Sequence, residues 1–186
     1  TKESIRKEFG IPNDAFLVIS NSEINENKNV ECSITAVAAN KGVYMLICGT
    51  GKNMDKCRSL VKELGCEDRI IFAGYRYDAK ELLHGADAFI FPSRREGLGL
   101  AAIEAMAAGL PLIVSDSRGT REYAVNGENA IVCEYNNISQ FINAVQLLST
   151  DTELCRKLGE NGYRTAEKYG LENALKCMAD IYRSYI

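Results

Sequence analysis

Two glutamates between Pro92 and Met106 have the type and setting of ligand-binding groups. Glu104 is the only charged residue from Leu98 to Val114, and the apolar residues around it predict a helix that is buried on all sides. An unpaired carboxylate inside such a helix is strongly destabilising. Either a structural salt bridge or a hydrogen bond to the hydroxyl groups of a ligand would stabilise Glu104.

Glu96 precedes the same helix, in a turn whose glycines allow the backbone to approach a ligand closely. The backbone amides of the next four residues lie at the start of the helix, where an anion is stabilised. These residues are Gly97, Leu98, Gly99 and Leu100. Carboxylates suit the hydroxyl groups of a sugar and amides at a helix start suit a diphosphate, so this segment predicts a nucleotide-sugar site.

Lys28 supplies a cation in the polar segment from Asn25 to Asn29. The segment lies between the first predicted strand and the next predicted helix, so the ammonium group would reach a phosphate at the same sheet edge. A solvated surface lysine is the alternative interpretation.

The elements that must position these residues alternate along the chain. Short strands that are apolar on both faces are typical of a buried parallel sheet. The predicted strands are Phe16–Ile19, Val43–Cys48, Arg69–Phe72, Ala88–Phe91, Leu112–Val114 and Ala130–Cys133. Ligands of such sheets bind at the carboxyl ends of the strands, where the loops that carry Lys28 and Glu96 begin.

Amphipathic segments between the strands predict the helices. They are Val30–Ala39, Asn53–Leu64, Ala79–His84, Leu100–Ala108 and Ile138–Leu148, followed by a tail of two helices, Thr152–Lys168 and Leu171–Tyr185. The expected fold is α/β, a single Rossmann-like domain with a doubly wound parallel sheet of about six strands and a helical C-terminal tail.

The sequence lacks two other motifs that bind nucleotides. No Gly-x-Gly-x-x-Gly fingerprint follows the first strand, which argues against a dinucleotide site. The turn from Gly49 to Asn53 is similar to the end of a P-loop, but Leu46 replaces the first glycine and Asn53 replaces Ser or Thr. We therefore expect a tight strand-to-helix turn in which a glycine has a positive φ.

Composition excludes several classes of function. A net charge of −3 argues against a nucleic-acid partner, and no apolar run is long enough to span a membrane. The seven cysteines are scattered without zinc or redox spacing, which favours reduced core thiols and a cytoplasmic location over a catalytic thiol. Because Thr1 is not a natural start, we expect an internal part of a longer protein.

The segment from Phe89 to Pro111 resembles the family-four retaining glycosyltransferases of GT-B architecture. It contains Glu96-Gly97-Leu98 and the run from Glu104 to Pro111, so seven residues separate the two glutamates. Nearly the whole chain is similar to the C-terminal, donor-binding domain of that family. Residues 72–75 and 86–87 are also similar to the family, and the similarity at residues 23–29 and 115–122 is typical of the branch that builds capsular polysaccharide and exopolysaccharide.

The resemblance implies a role for each matching residue. Glu96 would contact the hydroxyl groups of the donor sugar near the anomeric carbon, and Glu104 would bind the ribose. Lys28 would neutralise the diphosphate leaving group, while amides at positions 97–99 hold the sugar or phosphate. Tyr75 and Arg76 would flank the base.

The family also implies glycosyl transfer with retention from a UDP- or GDP-linked sugar, without a metal. The acceptor would bind a separate N-terminal domain, absent from residues 1–186, through which any membrane contact would be made. The last helix would cross back to that domain, and we expect the chain alone to be inactive.

One departure from the family pattern concerns phosphate binding. Glu23 stands where many members have an arginine, and Arg94, Arg95 or Arg118 are the alternative cations. A non-catalytic nucleotide-sugar-binding module is therefore one alternative interpretation. A sugar-nucleotide epimerase of the same architecture is another, although its acidic or histidine-rich catalytic set is largely missing.

Overall fold

A six-stranded parallel sheet forms the centre of the computed structural model, which describes residues 1–184. The strands are β1 (Phe16–Asn21), β2 (Val43–Cys48), β3 (Ile70–Gly74), β4 (Ala88–Phe91), β5 (Leu112–Ser115) and β6 (Ala130–Cys133). Their order in the sheet is β3-β2-β1-β4-β5-β6. The order reverses between the neighbouring strands β1 and β4, so the crevice that binds ligands in such folds opens between them. The doubly wound parallel sheet predicted from the sequence is confirmed.

Helices cover both faces of the sheet. They are α1 (Lys2–Glu8), α2 (Val30–Ala38), α3 (Met54–Glu63), α4 (Ala79–Leu83), α5 (Leu100–Ala107), α6 (Ile138–Thr150), α7 (Thr152–Ala166) and α8 (Leu171–Arg183). One core layer contains apolar residues of α2, α3 and α6, and the other contains residues of α4 and α5. Because both faces are covered, the strands are apolar on both sides, as the sequence predicted.

The helix boundaries differ from the predictions mainly at the two ends of the chain. Helix α1 was not predicted, since its apolar residues are few, and a capping box between Thr1 and Ser4 stabilises its start. Helix α7 ends at Ala166 and a 3-10 turn follows it, so the predicted end at Lys168 was two residues late. The predicted end of α8 at Tyr185 lies outside the described residues.

The last helix carries an exposed apolar stripe. Its large apolar side chains are all more than half exposed, at Leu171, Leu175, Met178, Ile181 and Tyr182. None of the helices within residues 1–184 combines the length and the apolar character needed to cross a bilayer.

At the amino ends of β1 and β4, a buried arginine of α1 binds the segments that precede both strands. Arg6 is 1% exposed and donates hydrogen bonds to four backbone carbonyls, those of Gly85 and of residues 12, 13 and 15. Its Nη2 also binds Oδ2 of Asp87 at 2.6 Å, and the same carboxylate oxygen accepts from the backbone amide of Leu17. The guanidinium and the carboxylate are thus almost fully satisfied by protein groups.

The cysteines are thiols, and most of them belong to the core. Five are buried, while Cys155 is half-buried and Cys177 is exposed. Burial raises the pKa of Cys32, Cys48 and Cys133 to about 12, so these thiols are not nucleophiles near neutral pH.

Candidate functional site

The loops after β1 and β4 lie against each other at the carboxyl end of the sheet. Lys28, in the first loop, extends its Nζ to Oε1 of Glu96, in the second, at 2.5 Å. The Nζ also lies 5.1 Å from the centroid of the Phe91 ring. The lysine side chain is 22% exposed and the glutamate side chain 9%, so the pair lines the sheet edge without being sealed from solvent.

The turn between Glu96 and α5 presents free backbone donors. The amides from Gly97 to Ala101 donate no hydrogen bond to any other residue of the described part of the chain. Gly99 has a φ of 84°, and a Cβ at this position would lie 2.9 Å from the Phe91 ring and 3.1 Å from the Tyr123 hydroxyl. Only glycine therefore fits this turn, which leaves an amide cluster at the start of an eight-residue helix.

Glu104 lies one helical turn further along α5, but the expectation that it is buried was wrong. Its side chain is 35% exposed, and its nearest cation is Nζ of Lys80 at 3.4 Å. The apolar residues around Glu104 do not make α5 buried on all sides, since Leu100 is 65% exposed and Ala107 is also at the surface. The carboxylate therefore faces the open side of the helix.

The ion pair between Lys80 and Glu104 is weak. Lys80 is 74% exposed, and a pair with such an exposed lysine contributes little to stability. Glu104 is consequently available for a ligand, and the structural salt bridge that was the alternative interpretation is present only in this weak form.

Tyr75 and Arg76 follow β3, which is the edge strand furthest from β6. The Tyr75 side chain is 67% exposed and packs edge-on against Tyr77, with the ring centroids 5.1 Å apart. The Arg76 guanidinium is bound to Glu8 at 2.9 Å and to Asp78 at 2.7 Å. Asp78 holds the guanidinium and raises the pKa of Arg76, so this side chain is committed to protein carboxylates.

The structure thus brings together most of the residues predicted from the sequence. Lys28, Glu96 and the amides of α5 form one group, and Glu104 follows on the same helix. Glu104 contacts α4 through Lys80, and α4 begins four residues after Tyr75. No contact joins Tyr75 directly to the pair of Lys28 and Glu96 within the described residues.

A cleft of about 530 Å³ adjoins the loop of Lys28. It is lined by Glu23, Asn25, Glu26, Asn27, Lys52, Arg94 and Arg95. Arg94 is paired with Glu26 at 2.9 Å, and Arg118, the third cation considered from the sequence, does not line the cleft.

Sequence reasoning missed Lys52 and Tyr123. Lys52 lies in the turn after β2, whose glycines fit the expected role: Gly49 has a φ of 131°, and a Cβ there would overlap the carbonyl oxygen of Ser22. The ring of Tyr123 is buried beneath the Gly99 turn and its hydroxyl has no hydrogen-bond partner within residues 1–184. Burial and the charge of Glu96 raise the pKa of Tyr123 well above its usual range.

The residues that the structure describes contain no cluster of three or more His, Cys, Asp or Glu side chains with the arrangement of a metal site. The polar groups at the carboxyl edge of the sheet are instead donors, namely the Lys28 ammonium group and a set of backbone amides, and acceptors, namely the Glu96 and Glu104 carboxylates. This set can bind an anion and hydroxyl groups side by side.

Comparison with known proteins finds relatives that align with most or all of this chain. EpsD of Bacillus subtilis is 33% identical over 189 aligned positions, which cover 100% of this chain and 50% of EpsD. LpsE of Rhizobium meliloti, a lipopolysaccharide core biosynthesis glycosyltransferase, is 31% identical over 86% of this chain and 47% of its own length. The chain therefore spans about half the length of the curated relatives it matches.

Among solved structures, HepE of Anabaena in complex with UDP and glucose superimposes with a TM-score of 0.92 at 22% identity. The superposition covers 98% of this chain and 52% of HepE, so the fold is that of one half of a GT-B protein. Residues 1–165 match the family model described as "Glycosyl transferases group 1". On this match over most of its length, the chain belongs to the group 1 glycosyl transferases.

Proposed function

We propose that the protein transfers a glycosyl group from a nucleoside-diphosphate sugar to a saccharide or lipid-linked acceptor, with retention at the anomeric carbon. In this proposal the chain supplies the donor site at the carboxyl ends of β1 and β4. The observation that carries it is the convergence of Lys28, Glu96 and the free amides of residues 97–101 on one edge of the sheet.

The size of the site suits a nucleoside diphosphate. Glu104 follows Leu100 by four residues, which corresponds to about 6 Å along a helix. A diphosphate held by the amides at the start of α5 therefore leaves the ribose hydroxyls within reach of the Glu104 carboxylate. In this proposal the base would lie against the exposed ring of Tyr75, whereas Arg76 would have to leave Glu8 and Asp78 to reach it.

The expected chemistry is mostly electrostatic. Lys28 and the amides of α5 would stabilise the negative charge that develops on the departing diphosphate. Glu96 would hold the hydroxyl groups of the donor sugar near the anomeric carbon. For this, Lys28 must move from the Glu96 carboxylate to the phosphate, because one ammonium group cannot fully neutralise both. The mechanism calls for no metal.

The relatives support the donor as a nucleotide sugar. HepE was solved with UDP and glucose and with UDP-glucose, and TarM of S. aureus was solved with UDP. We propose by analogy that the acceptor binds a second domain, on the cytoplasmic side of the membrane. This chain alone would then bind the nucleotide without transferring sugar.

Calorimetric titration of the chain with UDP and with GDP tests the donor site. We expect one of the two to bind, and the Glu104→Ala variant to bind it about 30-fold more weakly because hydrogen bonds from the ribose to a carboxylate are lost. Glu128→Ala, which removes an exposed carboxylate before β6, is the control and should bind as the wild type does. If neither nucleotide binds, or if Glu104→Ala binds equally well, the donor site is refuted.

A non-catalytic binding module is the second candidate, because Glu23 brings a negative charge into the cleft at a position where the resemblance implies an arginine. Lys52 lines the same cleft and supplies a cation close by. The two candidates differ in the full-length protein. Transfer from a nucleotide sugar, with the anomeric configuration of the product determined by NMR, supports catalysis with retention. Nucleotide binding without transfer to any saccharide acceptor supports the module.

A further inference from the structure

Three consecutive residues of the loop that carries Lys28 each contact one residue of the loop that carries Glu96. Glu26 pairs with Arg94 at 2.9 Å, and Lys28 pairs with Glu96 at 2.5 Å. Between these two pairs, the side chain of Asn27 binds the backbone of Arg95. Each of the three pairs joins residues 68 positions apart, so the two loops run in parallel and in a single register.

Asn27 makes the most extensive contact of the three pairs. Its Nδ2 donates to the carbonyl of Arg95 at 2.9 Å, and its Oδ1 accepts from the amide of Arg95 at 3.1 Å. Its own carbonyl accepts from the backbone amide of Arg94 at 2.8 Å. The flanking pairs join side chain to side chain, whereas Asn27 binds the backbone itself, so it fixes how the two loops are aligned.

The rest of the Lys28 loop is also tightly constrained. The Lys28 amide donates to Oδ1 of Asn25 at 3.0 Å. Asn29 has a φ of 54° and is the only residue other than glycine with a positive φ among those described. Its side chain reaches the carbonyl of Pro92 at 3.3 Å. A strained backbone of this kind persists only where its surroundings hold it in place.

The Lys28 ammonium group, in contrast, has few contacts of its own. Glu96 and the ring of Phe91 are its only partners in the described part of the chain. Its location therefore depends on where the loop backbone is held, and the adjacent Asn27 ties that backbone to the backbone directly before Glu96.

We propose that Asn27 is a positioning residue that sets Lys28 and Glu96 at the distance needed to bind the diphosphate and the sugar of one donor. The role of Lys28 at the phosphate rests on the proposed function, whereas the alignment of the two loops by Asn27 is independent of it. Asn27 acts through Lys28 and touches no reacting atom.

The test compares Asn27→Ala with Asn161→Ala. Asn161 also binds a backbone carbonyl on the surface with its Nδ2, that of Glu128, but at the opposite edge of the sheet. In the first arm, each protein is acetylated with a limiting amount of an activated ester, and the modification of Lys28 is followed by mass spectrometry. We expect Lys28 to react about threefold faster in Asn27→Ala and at the wild-type rate in Asn161→Ala, because an ion pair protects the amine only when the loops are aligned.

In the second arm, UDP and GDP are titrated into Asn27→Ala, Lys28→Ala and the double variant. We expect Asn27→Ala to weaken binding about tenfold, and the double variant to bind no more weakly than Lys28→Ala, because residues that act through one another are not additive. A purely structural role for Asn27 would make the two losses add. Thermal unfolding of each variant shows whether the fold is retained.

The outcomes separate this proposal from the proposed function. If the nucleotide binds and Asn27→Ala leaves its affinity unchanged, or if the losses add, the positioning role is refuted. If the wild type binds neither nucleotide, the proposed function fails and the acetylation arm alone decides. Faster reaction of Lys28 in Asn27→Ala then supports alignment by Asn27, and an unchanged rate overturns it.

Discussion

Two cation–carboxylate pairs lie at opposite ends of the central strands, and they differ in how fully the protein satisfies them. At the amino ends, Arg6 is 1% exposed and binds Asp87 together with four carbonyls. At the carboxyl ends, the Lys28 side chain is 22% exposed and its ammonium group has Glu96 as its only hydrogen-bonding partner among the described residues. The first pair has almost no capacity left for a ligand. The second keeps free donors and acceptors at the edge of a cleft.

The difference teaches how a structural pair can be told from a candidate binding pair. Both have short contacts, of 2.6 and 2.5 Å, so distance does not separate them. The separating property is the number of hydrogen bonds that remain to be made once all protein partners are counted. The free amides of residues 97–101 beside Glu96 add to that number at the carboxyl end.

The largest effect is expected from Asp87→Ala. The variant leaves the Arg6 guanidinium buried without its counterion, which should lower the free energy of unfolding by about 3 kcal/mol. Urea unfolding followed by circular dichroism measures the loss. Asp116→Ala, which breaks an exposed pair with Arg121, is the control and should lose far less. Equal losses in the two variants would contradict the structural role of the amino-end pair.

Lys28→Ala should weaken nucleotide binding strongly and lower the stability of the fold only slightly, which is the opposite of what we expect for Asp87→Ala. We expect the dissociation constant for the nucleotide to rise about 30-fold, because a charge-assisted contact with phosphate is worth about 2 kcal/mol. The free energy of unfolding should fall clearly less than in Asp87→Ala, since removal of the partly exposed Lys28 side chain lets water reach the Glu96 carboxylate. Calorimetry and urea unfolding of the same sample provide both values. If Lys28→Ala unfolds as easily as Asp87→Ala but binds the nucleotide as the wild type does, the pair of Lys28 and Glu96 is structural and not a binding pair.

Glu96→Gln should strengthen the binding of UDP or GDP about threefold. The substitution removes the carboxylate that competes with phosphate for the ammonium group of Lys28, and these nucleotides have no sugar for Glu96 to hold. The measurement is a calorimetric titration at low ionic strength, where the effect of charge is largest. Weaker binding would mean that Glu96 orients Lys28 rather than competing for it.

The smallest effect is expected from Tyr123→Phe. The hydroxyl of Tyr123 is buried without a partner among the described residues, so its removal should leave the free energy of unfolding unchanged or raise it by at most about 0.5 kcal/mol. Urea unfolding tests this prediction. A loss of stability would show that the hydroxyl makes a hydrogen bond beneath the Gly99 turn.

The sequence was sufficient to predict the sheet, because strands apolar on both faces alternate with amphipathic segments at regular intervals. β2, β4 and β6 have the predicted bounds, and the other strands are extended or shifted by at most two residues. Helix α1 was not predicted because a capping box stabilises its start and the contacts of Arg6 hold it against the sheet. Neither feature produces an apolar pattern in the sequence. The place of Arg6 follows only from the carbonyls of two segments distant in sequence, residues 12–15 and Gly85, which accept from its guanidinium.

The candidate site was predicted in its composition but not in its contacts. The position of Glu96 before a glycine turn and the amides at the helix start could be inferred from local sequence. The burial of Glu104 was inferred incorrectly, because apolar composition does not reveal which side of a helix faces a cleft. The contact between Lys28 and Glu96 joins residues 68 positions apart and depends on the adjacency of β1 and β4.

A crystal structure of the chain with UDP bound tests the central claim most directly. The account predicts the diphosphate within hydrogen-bond distance of the amides of residues 97–101, with Nζ of Lys28 turned from Glu96 to the phosphate and the ribose hydroxyls on Glu104. A nucleotide bound elsewhere, with Lys28 still on Glu96 and the start of α5 unoccupied, would contradict it.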